Sequence, residues 1–65
     1  MIILNGKPVD QGKSKSVDEL LRQFKIEGAA IVIERNHVIL KKEDWLSTPV
    51  EEDDRFEVIR FVGGG

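Results

Sequence analysis

The sequence predicts an α+β fold in which a sheet of four to five strands clasps a single helix within one domain. Three observations predict it. An Asn5-Gly6 pair follows a short apolar run at the N-terminus, one amphipathic helical stripe comes next, and the later apolar runs read as strands.

Met1 to Leu4 opens the first strand, and Asn5-Gly6 is the strongest short hairpin signal, because both residues tolerate positive φ. The return strand spans roughly Lys7 to Gln11, and Pro8, which has no N–H, assigns it to an edge of the sheet. Gly12 to Lys15 reads as a loop. Ser16 and Glu19 form a capping box, and Val17, Leu20, Leu21 and Phe24 then recur at helical spacing. The helix is expected at about Val17 to Lys25, with Gly28 as its stop. Ala29 to Ile33 is apolar without a break, as in a strand covered on both faces or one at a sheet centre. Asn36 marks a turn, Val38 to Leu40 a short strand, and Lys41 to Leu46 a helical turn carrying Trp45. Pro49 and the acidic run Glu51 to Asp54 form a loop, Arg55 to Val62 is the last strand, and Gly63-Gly64-Gly65 trails from it. The domain is thus expected over 1–62, with a glycine tail at 63–65.

At 65 residues the chain can build one modest core, and with no cysteine it has neither a disulfide nor a thiolate metal site. Apolar residues make up 40% and charged residues 34%, which suits a soluble globular domain. The formal charge of -2, without a basic stripe, argues against nucleic acid as a partner. The N-terminus lacks the pattern of a signal peptide, and no apolar run approaches the roughly 20 residues that span a bilayer. The expected location is the cytoplasm.

Catalytic groups are scarce. Ser14, Ser16 and Ser47 have only His37 as a possible base, and His37 reads as a solvated turn residue. One imidazole among scattered carboxylates is a poor zinc site, and Glu51 to Asp54 lacks the alternating ligands and the glycine of a calcium loop. That run reads as a charged turn kept in water, or alternatively as a docking contact for a basic partner. No residue here is expected to be catalytic, and no metal or cofactor is expected to be bound.

The tail is the remaining candidate. Glycines at a terminus can be a frayed end or a cloning scar. This tail, however, leaves a strand directly, spans only about 10 Å when extended, and carries the free carboxylate of Gly65 at its tip. Without Cβ atoms, Gly63 and Gly64 can thread a narrow active site and leave the terminal carbonyl open to attack. A carboxylate is a poor electrophile, so a partner must activate it, for instance as an acyl-adenylate formed with ATP. In the last strand, Phe56, Val58, Arg60 and Val62 share one face and Arg55, Glu57, Ile59 and Phe61 the other. If Phe56 and Val58 point into the core, Ile59 and Phe61 form an exposed docking patch beside the tail, continued by Val62. The alternative puts Ile59 and Phe61 in the core and Phe56 outside.

The strand–Asn-Gly–strand–helix–strand layout, ending in Arg55-Phe56-Glu57-Val58-Ile59-Arg60-Phe61-Val62-Gly63-Gly64-Gly65, resembles the ThiS family, the sulfur carriers of thiazole formation for thiamine. The resemblance covers the whole chain. It includes Asn36 through Trp45, similar to the family's Asn-Gly turn, short strand and following Trp, and Asp53-Asp54 before the last strand. It implies a ubiquitin-like β-grasp fold with a mixed sheet on one main helix. It also implies that an E1-like adenylating enzyme (ThiF type) uses ATP to activate Gly65. A sulfur donor such as a cysteine desulfurase then yields a thiocarboxylate, and thiazole synthase (ThiG type) accepts the sulfur. His37 stands where the family usually has Gly and Lys41 where it often has Pro, which affects turn geometry; Gly63 adds reach. Carriers for molybdopterin or tRNA thiolation share the diglycine end, though molybdopterin carriers are usually longer. A non-covalent ubiquitin-like binding module is the reading from another class.

Overall fold

In the computed structural model, which describes residues 1–26 and 30–61, two tight hairpins set the frame of the sheet. Strands β1 (Ile2–Leu4) and β2 (Lys7–Val9) are joined by Asn5 and Gly6 at φ 50° and 81°. Strands β3 (Ile31–Arg35) and β4 (Val38–Leu40) are joined by Asn36 and His37 at φ 52° and 72°. Two-residue loops with both φ values positive match the right-handed twist of the strands they connect. His37 therefore adopts a left-handed conformation that costs a residue with a Cβ more than it costs glycine.

The last strand, β5 (Arg55–Arg60), lies in the middle of the five-stranded order β2-β1-β5-β3-β4. It runs parallel to β1 and antiparallel to β3, so the sheet is mixed. One helix, α1 (Val17–Gln23), provides Val17, Leu20 and Leu21 to the buried face, where they meet Ile2, Ile33, Trp45, Val50 and Phe56. This is the α+β grasp expected from the sequence.

Several boundaries differ from the sequence reading. β2 ends at Val9 rather than Gln11, although it does lie at an edge. Because Leu4 and Lys7 close the turn, the next pair, Ile3 with Pro8, turns the proline nitrogen away from β1, where no ladder bond is lost. The helix stops at Gln23, not Lys25. Lys25 takes the left-handed position at φ 56° and donates to the Arg22 carbonyl at 3.1 Å, while Ile26 N–H reaches the Leu21 carbonyl at 2.8 Å. These two bonds form a Schellman stop, which satisfies carbonyls at the helix end without glycine. Gly28 lies outside the described residues, as does Ala29.

The capping box is shifted as well. Ser16 Oγ accepts from Glu19 N–H at 3.2 Å, but the Glu19 carboxylate reaches back to Lys15 N–H, not that of Ser16. The N–H groups of Val17 and Asp18 instead donate to the carbonyls of Thr48 and Trp45, so the segment after β4 caps the helix. That segment contains a 3₁₀ turn at Lys42–Asp44, as the sequence suggested, and packs Trp45 into the core.

β3 begins at Ile31 and reaches Arg35; it is second from the edge, and the centre belongs to β5. Of its five residues only Ile33 is fully buried, so it is not covered on both faces. β5 ends at Arg60, two residues short of the expected Val62, which lies outside the described residues together with the boundary to the 63–65 tail.

Candidate functional site

β5 alternates as the sequence predicted. Phe56 is 1% exposed and Val58 half-buried on the helix-facing side, whereas Ile59 and Phe61 are 40% and 60% exposed. The reading that placed Phe56 outside is excluded by its burial. Val62, Gly63, Gly64 and Gly65 lie outside the described residues, so the structure locates the base from which they continue and not their own positions.

The outer face around Ile59 follows from the register. Val32 lies opposite Ile59, Glu34 opposite Glu57, and Ile39 (63% exposed) opposite Glu34. Directly paired residues project from the same face, so Ile59, Val32 and Ile39 form apolar ground around two facing carboxylates. Neither Glu34 nor Glu57 has an ion-pair partner among the described residues. Like charges placed opposite each other in a ladder are mildly destabilising, and a cation supplied from outside would relieve them.

Two asparagine side chains clamp β5, one from each hairpin. From the β1–β2 turn, Asn5 N–H donates to the Phe56 carbonyl at 2.9 Å, and Asn5 Oδ1 accepts from Val58 N–H at 2.8 Å. From the β3–β4 turn, Asn36 N–H donates to the Arg55 carbonyl at 2.7 Å and Asn36 Oδ1 accepts from Arg55 N–H at 2.9 Å. The strand leading to the tail is thus held from both sides by groups that also define the turns.

Behind the second clamp lies Asp54, buried at 5% exposure. Its carboxylate accepts from Arg35 Nε at 3.0 Å, Asn36 Nδ2 at 3.0 Å and Glu51 N–H at 2.8 Å. Burial pushes the Asp54 carboxyl up, but the hydrogen bonds from Glu51, Asn36 and Arg35, with the nearby guanidinium, outweigh it and hold the group below the usual carboxylate range. The acidic run is therefore not uniformly a turn kept in water. Glu51, Glu52 and Asp53 are exposed, while Asp54 organises the start of β5. The sequence reading missed this role, and the signal was available in the Asp immediately preceding a strand. It likewise did not foresee the side-chain contact of Asn5.

The structure also shows a recess of about 380 Å³, floored by Leu21, Ile31 and Trp45 and rimmed by the Asp18–Arg22 pair and Lys42. It holds no serine or histidine, and His37 is exposed at its turn. Among the described residues no group of three or more His, Cys, Asp or Glu could hold a metal ion, and no helix is long and apolar enough to cross a membrane. What the geometry offers is a centrally anchored strand, flanked by exposed apolar side chains, leading into the glycine tail.

Comparison with known proteins agrees with that arrangement. The ThiS family model matches residues 2–65. The chain is 35% identical to the sulfur carrier protein ThiS of Bacillus subtilis, over all of both chains. It is 28% identical to a thiazole synthase of Paramagnetospirillum magneticum; that match spans 98% of this chain but only 20% of the synthase. Among solved structures it is similar to the thiamine biosynthesis protein ThiS of Geobacter metallireducens, with a TM-score of 0.79, 36% identity, and coverage of 98% of this chain and 97% of that one.

Proposed function

This chain belongs to the ThiS family, and from that premise we propose how it works, with the carboxylate of Gly65 as the point at which sulfur is attached. Its function is that of a sulfur carrier in thiamine biosynthesis, and it is acted on by enzymes rather than being one. The ubiquitin-like β-grasp domain is the handle that partners recognise.

In this reading an E1-like enzyme of the ThiF type joins the Gly65 carboxylate to the adenylyl group of ATP and releases pyrophosphate. A sulfur donor such as a cysteine desulfurase, carrying the sulfur as a persulfide, attacks the activated carbonyl and displaces AMP. An external thiol then attacks the donor's sulfur in the resulting acyl disulfide, forming a disulfide with the donor and releasing a thiocarboxylate at Gly65. A ThiG-type thiazole synthase then takes the sulfur, returning the carboxylate. The chain itself supplies no acid, base or metal; ATP is consumed by the activating partner. We place this work in the cytoplasm, beside the ATP it needs.

One observation carries the reading: three consecutive glycines continue from the central, doubly clamped strand, and the family match extends through Gly65. With no cysteine in the chain, sulfur has no thiol here on which to travel, and a terminal thiocarboxylate removes the need for one. Gly63 and Gly64 thread the partner's active site, and Ile59, Phe61 and Val62 dock against its mouth. The match to part of a thiazole synthase supports that enzyme as a partner.

The test is to incubate the chain with a ThiF-type enzyme, ATP, a sulfur donor and a reducing thiol and to weigh the product. A gain equal to one oxygen-to-sulfur exchange, localised to Gly65, is expected. The same gain in a chain whose Gly65 is amidated would refute the assignment.

A further inference from the structure

β5 is paired unequally along its two edges. On the β3 side the ladder continues to Ile31 opposite Arg60, and Phe61 N–H still reaches the Ala30 carbonyl at 2.9 Å. On the β1 side the pairing covers only Ile3 with Arg55 and Leu4 with Phe56, after which β1 turns away at Asn5.

Asn5 carries that short ladder one step further. A parallel strand would next accept from Val58 N–H with its own backbone carbonyl. The left-handed turn at Asn5 takes that carbonyl elsewhere, and its side-chain Oδ1 accepts from Val58 instead. Backbone direction alternates along a strand, so Val58 C=O, Arg60 N–H and Arg60 C=O face this same β1 side. Among the described residues neither Val58 C=O nor Arg60 N–H has a hydrogen-bond partner. Among the described residues, therefore, a lane one strand wide is unfilled, in the interior of the strand order rather than at β2 or β4, and directly before the tail.

We propose that an extended backbone segment of the thiazole synthase partner enters this lane as an added strand, accepting from Arg60 N–H and donating to Val58 C=O. The proposal rests on the carrier reading above. A stretch similar to this chain makes up 20% of a thiazole synthase, which favours that enzyme as the occupant. Arg60 stands five residues before Gly65, so a segment seated there lies within about 18 Å of the tail's tip when the tail is extended. Side chains on the outer face of the added strand would lie against Ile59 and Phe61, so that face of the segment is apolar.

A 65-residue chain is within reach of chemical synthesis, which allows the backbone itself to be altered. The chain is prepared with N-methyl-Arg60, and separately as Arg60→Ala, which keeps the N–H. Both are compared with the unmodified chain for melting, for binding to thiazole synthase, and for amide exchange at Arg60. Slowed exchange of Arg60 N–H in the complex is expected. Binding should weaken about tenfold on N-methylation and much less in Arg60→Ala, with melting unchanged. A complex in which Arg60 N–H exchanges as fast as in the free chain overturns strand addition while leaving the carrier reading intact, even if the methylated chain fails to fold. Failure of the unmodified chain to bind thiazole synthase at all overturns the partner assignment, and this proposal with it.

Discussion

The side-chain carbonyl of Asn5 accepts a hydrogen bond from the backbone N–H of Val58 at 2.8 Å, across 53 positions of sequence. A residue selected for a hairpin turn thus also serves as the last rung between β1 and the strand that leads to the tail. The turn requires a residue that tolerates positive φ; the rung requires an acceptor on that residue's side chain. Asn meets both needs, whereas glycine meets only the first.

Asn5→Gly is therefore expected to keep the hairpin and lose the rung, lowering stability by about 1 kcal/mol. Asn5→Asp, which retains an acceptor, should lose less. Urea unfolding of the two variants checks this, and equal losses would show that the side-chain bond contributes nothing.

Asp54→Ala should be the costlier change, about 2 to 3 kcal/mol, since it removes an acceptor from Arg35, Asn36 and the Glu51 amide together. Denaturation midpoints of the purified variant would measure it. A loss no larger than that of an exposed Asp53→Ala would contradict the buried role.

The same carboxylate predicts a pH dependence. Its folded-state value lies below the ordinary one, so the unfolded chain takes up its proton first as the pH falls. The stabilisation is present in full above about pH 4, the ordinary carboxyl value. It is lost as the pH drops through the lowered folded value. Thermal melts from pH 6 to pH 2 should show a decline that is shallower in Asp54→Asn.

His37→Gly should stabilise the protein by about 0.5 to 1 kcal/mol, because φ 72° costs an exposed residue with a Cβ more than it costs glycine. A rise in melting temperature of about 4 °C is the expected readout. Lys25→Gly, at φ 56° in the helix stop, should act in the same direction.

Phe61→Ala should leave stability within about 0.5 kcal/mol, since the ring is largely exposed. Its effect should fall on the partners: kcat/KM for tail activation lower by about tenfold, expressed mainly in KM. Phe56→Ala, on the opposite face, should cost about 3 to 5 kcal/mol and unfold much of the population, which separates the docking face from the core.

Features that depend on near neighbours were legible in the order of residues alone. Asn5-Gly6 and Asn36 placed the turns, Pro8 the edge strand, Ser16 and Glu19 the start of the helix, and the alternation of Phe56 with Ile59 the two faces of the last strand. These signals arise from steric limits and hydrogen bonds within a few residues, and they act before the chain has a shape. Features that depend on register between distant segments were set by the folded arrangement. It put β5 at the centre, ended the helix at Gln23 because Lys25 and Ile26 could close a Schellman stop, and buried Asp54 against Arg35. It also set Asn5 against Val58. Such contacts join groups whose separation along the chain carries no information about their separation in space, and the relative placement of β1, β3 and β5 brings them together.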